Sequence, residues 1–210
     1  MRHDVHQYPF KSIPPFTERR RTEQKEVNLE EVIRNIQILL PQHGIGGIET
    51  RIVLADQELP VMIDLAEIEL GVLNLIRNAQ EAMPTGGNLT IQTGSARFPG
   101  NLGDRTGRSG GKTFAFVSVS DTGAGMDEQT LSRIFEPFYT TKEGVYRGMG
   151  LTATYHTIRR HNGSINVESR PGHGTTVKVY LPLLRKTPAR RKAIPLPPAW
   201  AYAALPRLEA

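Results

Sequence analysis

Cysteine is absent from the 210-residue chain. Its absence excludes disulfides, thiolate metal sites and cysteine nucleophiles. Long apolar runs are missing too: no stretch approaches the ~18 residues of a membrane span. The N-terminus, Met1-Arg2-His3-Asp4, lacks the apolar core of a secretory signal. The cytoplasm is therefore the expected compartment, with no membrane contact from this segment. Aromatic residues are few, at 7%, and none interleaves with the basic clusters, as base stacking on nucleic acid requires. Those clusters are Arg19-Arg20-Arg21 and the segment from Arg185 to Lys192, whose five basic residues carry the whole net charge of +5. Blocks of this kind read as solvated linkers, so nucleic acid is not an expected partner.

What is present suffices for one buried core, since 38% of the residues are hydrophobic. Residues 1–26 hold Pro9, Pro14 and Pro15 without sustained periodicity and read as a leader or linker. Residues 184–210 are basic and proline-rich and read as a tail or linker. Between them, residues 27–183 are expected to form one domain. Apolar residues at helical spacing predict a helix opened by Asn28 and ending near Pro41, and a second from Asp64 to about Met83. Short strands are expected at Ile48 to Ala55, Val61 to Ile63 and Asn88 to Thr93, and a central strand at Thr113 to Ser120. Gly94 to Lys112 reads as a long surface loop. Two further helices, Asp127 to Ile134 and Gly150 to Asn162, precede strands at Ser164 to Ser169 and Thr175 to Leu181. Adjacent strands with short turns favour an α+β fold, a two-layer α/β sandwich whose mixed sheet carries helices on one face.

Three stretches can do chemistry. Asn74 and Asn78 lie one turn apart on the second helix, so their amide oxygens can turn to one point, as a hard cation carrying phosphates requires. Surface or helix-bonding asparagines would look the same. Asp121 ends the central strand and is followed by Gly123 and Gly125, which sets a carboxylate acceptor beside a backbone that a flat ring can approach. The exocyclic amine of adenine suits such an acceptor, although an acidic turn has the same pattern. Gly148 and Gly150 precede a helix N-terminus, where free N–H groups receive phosphate oxygens, with Lys142 and Arg147 adding charge. By contrast, Gly107 to Thr113 ends like a P-loop but is one residue short between its glycines and precedes a strand.

Taken in order, Asn74-Leu75-Ile76-Arg77-Asn78-Ala79, Asp121-x-Gly123-x-Gly125, Phe135-Glu136-Pro137-Phe138-Tyr139-Thr140-Thr141-Lys142, Gly148-Met149-Gly150-Leu151 and Gly172-His173-Gly174-Thr175-Thr176 resemble the successive boxes of one family. It is the ATP-binding catalytic domain of sensor histidine kinases, in the GHKL superfamily with its Bergerat fold, and the resemblance spans residues 28 to 182. The resemblance implies ATP and Mg²⁺ as ligands, held between helices under a mobile lid. It implies Asn78 as metal ligand with Asn74 its catalytic partner, Asp121 as adenine reader, and Gly123 and Gly125 as the first glycine box. Lys142, Gly148 and Gly150 would meet the phosphates, Thr175 would lie near the adenine end, and Phe135 and Phe138 would anchor the lid.

The ATP-hydrolysing branch carries a water-activating glutamate one turn before the metal asparagine; Asn74 stands there in this chain. Transfer of the γ-phosphoryl group to a histidine is the reaction this favours. The histidine would belong to a dimerisation and phosphoacceptor domain in cis or in trans, with a response regulator receiver domain as the next partner. His3 itself is separated from Asn28 by too few residues, with three prolines among them, to sit on a helical hairpin. Two departures from the family pattern stand out: the second glycine box lacks a further glycine, either because Tyr146 replaces it or because two residues are missing after Leu151, and Glu81 occurs where some members have a basic phosphate contact. The alternatives are a nucleotide-binding or interaction module with a degenerate lid and no phosphotransfer, and a serine/threonine kinase of the anti-sigma type on the same scaffold.

Overall fold

Asn28 ends strand β1 (Lys25–Asn28) and opens helix α1 (Leu29–Leu39). Its side-chain oxygen accepts the Glu30 N–H at 3.3 Å, the N-cap bond, and the Leu59 N–H at 3.1 Å. The computed structural model describes residues 23–40, 47–98, 112–141 and 148–184. After α1 come β2 (Ile48–Val53), β3 (Pro60–Ile63) and α2 (Leu65–Glu81), then β4 (Gly87–Phe98) and β5 (Lys112–Asp121). Helices α3 (Glu128–Arg133) and α4 (Gly150–Arg160) and strands β6 (Ser164–Ser169) and β7 (Thr175–Pro182) complete the chain order.

Five strands form one mixed sheet in the order β2-β4-β5-β7-β6. Only the β2–β4 pair is parallel; the other three pairs are antiparallel. Strand alternation splits this sheet into two chemistries. Leu89, Ile91, Ala115, Val117, Val119, Val179 and Leu181 are buried on one face. Asn88, Thr90, Gln92, Ser118, Ser120, Thr176 and Lys178 alternate with them on the other. The buried face receives Leu29, Val32, Ile33 and Ile36 of α1, Ile68, Val72, Leu75, Ile76 and Ala79 of α2, and Ile158 of α4. Each of the Leu, Ile and Val side chains contributes roughly 1.5–3 kcal/mol by leaving water. The result is the expected two-layer sandwich with its helices on one face.

Two elements differ from the sequence reading. Strand β1 begins at Lys25, inside the stretch read as leader, and pairs antiparallel with β3 from Lys25↔Ile63 to Asn28↔Pro60. Four residues with two glutamates or lysines among them give no period for a sequence to show; the partner strand supplies the order. The second difference is Gly94 to Lys112, read as a loop. β4 runs on through Gly94 to Phe98, paired to β5 up to Phe98↔Lys112. Ser95 and Arg97 are exposed in this half of the strand, and on its other face a Cβ on Gly94 would lie 2.5 Å from the ring of Phe116. That ring covers the glycine, sits edge-on to Tyr180 at 6.2 Å and carries Lys178 Nζ 5.8 Å from its centroid. Residues 99–111 lie outside the described residues.

Candidate functional site

Helix α2 is opened by Asp64, whose carboxylate accepts the Glu67 N–H at 3.2 Å. Its apolar stripe faces the sheet, which turns Asn74 and Asn78 to the border of the core, where both are half-buried. Neither side chain hydrogen-bonds to another described residue. Two amide oxygens one turn apart, half-desolvated and unclaimed by any described residue, fit a magnesium ion that keeps waters and phosphates as its other ligands. Among the described residues no cluster of three or more His, Asp or Glu could hold a metal by itself. One turn further along, the Glu81 carboxylate accepts from Arg77 Nε at 3.0 Å.

The turn after β5 docks on the end of this same helix. Gly123 has no room for a side chain: a Cβ would lie 2.5 Å from the Ala82 carbonyl oxygen, and the Ala124 N–H donates to that oxygen at 3.0 Å. Ala82 N–H in turn donates to the Asn78 carbonyl at 3.1 Å. Asn78 and the Asp121 turn therefore share the C-terminal end of α2, joined through Ala82.

Asp121 is held from two directions. Its Oδ1 accepts the N–H of Gly123 at 2.8 Å and of Thr175 at 3.2 Å. Burial pushes its carboxyl above the ordinary 3.8, and those two N–H groups pull it back only partly. Oδ1 being engaged, Oδ2 is the oxygen left to face a ligand.

The loop between β6 and β7 closes on the same turn. Gly125 and Gly174 both have positive φ, +66° and +75°, and their Cβ positions would run into the carbonyls of Arg170 and Asp121 respectively. Gly172 N–H donates to the Ala124 carbonyl at 2.7 Å.

On the other side of α2 stands the start of α4. A Cβ on Gly150 would lie 3.9 Å from Asn74 Cγ and Oδ1, an ordinary contact, so the only thing this glycine leaves open is the space over the asparagine. At Gly148, with φ +61°, a Cβ would instead run into backbone, 2.6 Å from the Phe138 carbonyl carbon and from the Tyr139 oxygen. The Phe135 ring stacks on Tyr155 of α4 at 5.2 Å, and its carbonyl accepts the Thr152 hydroxyl at 3.1 Å.

Phe138, expected beside Phe135 as an anchor, is 72% exposed and has φ +66°. Its backbone, not its ring, makes the contact with Gly148; a bulky residue in that region is strained. Lys142 falls outside the described residues, as do Tyr146 and Arg147.

The structure thus brings Asn74, Asn78, Asp121, Gly123, Gly150 and Thr175 around one end of α2. The reading from sequence missed Ser169, which buttresses the site. Its hydroxyl accepts the Met126 N–H at 2.8 Å, donates to the Gly174 carbonyl at 3.0 Å and meets Thr175 Oγ1 at 2.9 Å. Thr175 accordingly turns its N–H to Asp121 and its hydroxyl to Ser169. Met126 and Ser169 are far apart in sequence, so no local pattern could have signalled the contact.

Residues 63–185 match the family described as histidine kinase-, DNA gyrase B- and HSP90-like ATPase. Among curated relatives, sensor kinase CckA of Brucella abortus is 37% identical over 170 residues, 79% of this chain and 18% of that protein. Sporulation kinase E of Bacillus subtilis is 31% identical over 168 residues, 80% of this chain and 21% of that protein. The chain thus spans about a fifth of the length of these relatives. The solved catalytic domain of histidine kinase ThkA aligns with a TM-score of 0.61 and 28% identity, over 77% of this chain and 96% of that one. With Asn74, Asn78, Asp121, Gly123, Gly150 and Thr175 gathered around one end of α2, these likenesses have one meaning: the chain belongs to the histidine kinase-, DNA gyrase B- and HSP90-like ATPase family and carries the ATP-binding catalytic domain of the histidine kinase type.

Proposed function

We propose that this domain holds ATP with Mg²⁺ between α2, the Asp121 turn and the start of α4, and passes the γ-phosphoryl group to a histidine. Asp121 Oδ2, ionised, accepts the adenine amine; a charge-assisted bond of this kind contributes roughly 1.5–3 kcal/mol. Asn78, with Asn74 a turn earlier, holds the metal, which neutralises charge on the phosphates as it spreads in the transition state. Gly150 leaves the phosphates room over Asn74, Gly148 precedes the same helix start, and Lys142 is proposed from sequence as a further phosphate contact. Catalysis is then positioning and charge complementarity, with little covalent work for the protein.

The observation that carries this reading is the pair of amides, unclaimed by any described residue, at the helix end where Asp121 is docked. Asn74 also decides between reactions. An amide cannot take a proton from water, and the carboxylate on the following turn, Glu81, is paired with Arg77. A nucleophile brought from outside suits this site better than hydrolysis. We assign that nucleophile to a histidine of a dimerisation and phosphoacceptor domain, in cis or in trans, with a response regulator receiver domain as the onward acceptor. ATP as the proposed substrate supports a cytoplasmic setting; among the described residues no helix is long and apolar enough to cross a membrane. Residues 27–183, extended by Lys25 and Glu26, which pair with β3, are proposed as the folding unit.

Labelled ATP with an added dimerisation domain tests the reading. Acid-labile label on that domain, lost in Asn78→Ala, supports it. Nucleotide binding without transfer favours the binding-module alternative, and acid-stable label favours serine or threonine as acceptor.

A further inference from the structure

Helices α2 and α4 pack antiparallel in one register. Asp64 lies against His161, Glu67 against Arg160, Gly71 against Thr154, and Asn74 against Gly150. The last contact belongs to the site; the first two close the opposite end of the pair, about 16 Å away along an 11-residue helix.

His161 is the buried group at that far end, 2% exposed. Its Nδ1 lies 2.8 Å from the Thr157 carbonyl, and its Nε2 is 2.9 Å from the Asp64 backbone nitrogen. A carbonyl only accepts and an amide N–H only donates. The two partners therefore fix a neutral ring with its proton on Nδ1 and a lone pair on Nε2. Around this bond Arg160 reaches Glu67 Oε2 at 2.9 Å and Thr157 Oγ1 at 3.2 Å. The chain leading into β1 meets the same junction: Glu23 N–H donates to Asp64 Oδ2 at 3.3 Å, and Gln24 Nε2 to the Arg160 carbonyl at 3.4 Å.

We propose that His161 is a positioning residue for the nucleotide's phosphates. By joining the end of α4 to the cap of α2 through both ring nitrogens, it sets how far Gly150 stands from Asn74 at the other end of the pair. The inference rests on the reading that Asn74 and Asn78 hold the metal-bound phosphates. It does not involve the Asp121 turn, which is docked separately through Ala82 and Gly123. Loss of the tie therefore has a selective signature: phosphate-dependent affinity falls while adenosine affinity does not.

The test compares ATP·Mg²⁺ and adenosine titrations of the full chain. His161→Phe keeps an aromatic ring but cannot accept the Asp64 N–H; it is expected to weaken ATP·Mg²⁺ about tenfold and leave adenosine unchanged. His161→Gln, whose side-chain oxygen reaches the Nε2 position, is expected to recover most of the loss. Should the phenylalanine variant not fold, Arg160→Met loosens the same end from a side chain that is 47% exposed, with a smaller loss in the same direction expected. Nitrogen-15 shifts of the wild-type ring give a readout without any variant, and the proton is expected on Nδ1. A proton on Nε2, equal losses for both ligands, or undiminished ATP binding in both loosened variants overturns the inference. Failure of the wild-type chain to bind ATP defeats the functional reading itself, and this inference with it.

Discussion

The backbone N–H of Thr175 donates to the carboxylate of Asp121 at 3.2 Å, across 54 residues of sequence. With the Gly123 N–H on the same oxygen at 2.8 Å, it holds the carboxyl group in a half-buried position that burial alone disfavours for a charge. The residue that reads the adenine edge in this account is thus fixed by its own turn and by β7 at once.

Asp121→Asn separates binding from stability. The amide oxygen can still accept both N–H groups, while the NH₂ replaces the oxygen that faces the purine. Donor then meets donor. The variant is expected to melt at or above the wild-type temperature and to lose about 10–150-fold in ATP affinity. Calorimetry for melting and titration for binding check the two halves; a destabilised variant with intact affinity contradicts both.

The same residue gives opposite pH slopes for folding and binding. Its native pKa lies above 3.8 because burial outweighs the two N–H donors. The native state therefore keeps this proton to a higher pH than the unfolded chain, so the residue's stabilising contribution is full below the unfolded value and is lost as pH rises from 3.8 through the raised native value. Adenine needs the ionised form, so ATP affinity falls as pH is lowered through that native value. Titrations across the acid range are expected to show this fall for wild type at a pH above 3.8, and no such step for Asp121→Asn.

Much of this was legible in sequence. Asn28, read as a cap, and Asp64 and Asp127, read as helix starts, all cap: Asp127 accepts the Thr130 N–H at 2.7 Å. The chemistry was legible too, because glycines and short polar residues at fixed offsets are required wherever backbone approaches backbone. Pairing with a partner was not. β1 and the far half of β4 have no periodicity of their own, and only β3 and β5 order them. Ser169, Gly174 and His161 act through contacts made far from their own segments. Gly123 and Gly150, alike in sequence, differ in kind: one is wedged against Ala82, the other open over Asn74.

That difference predicts two unlike alanine variants. Gly123→Ala drives a methyl into the Ala82 carbonyl, at 2.5 Å, and is expected to cost roughly 1–3 kcal/mol of stability. Gly150→Ala meets only ordinary contacts and improves helix propensity, so its melting temperature is expected to hold. Its methyl intrudes on the space over Asn74, and ATP·Mg²⁺ affinity is expected to fall. Paired melting and binding measurements distinguish the two.

Asn78→Ala addresses the metal. The side chain bonds no described residue, so the change in stability is expected to stay within about 0.5 kcal/mol. The gain in ATP affinity on adding Mg²⁺ is expected to vanish, leaving the metal-free affinity unaltered. A variant that keeps its Mg²⁺ response places the ion elsewhere.

The most direct measurement is an NMR titration of isotope-labelled chain with ATP, first with Mg²⁺ and then with paramagnetic Mn²⁺ in its place. The account predicts shifts at the N–H groups of Gly123 and Thr175 from the adenine, together with Mn²⁺ broadening centred on the side-chain amides of Asn74 and Asn78. Nucleotide shifts confined to a different face of the sheet, or broadening that spares both asparagines, would contradict it.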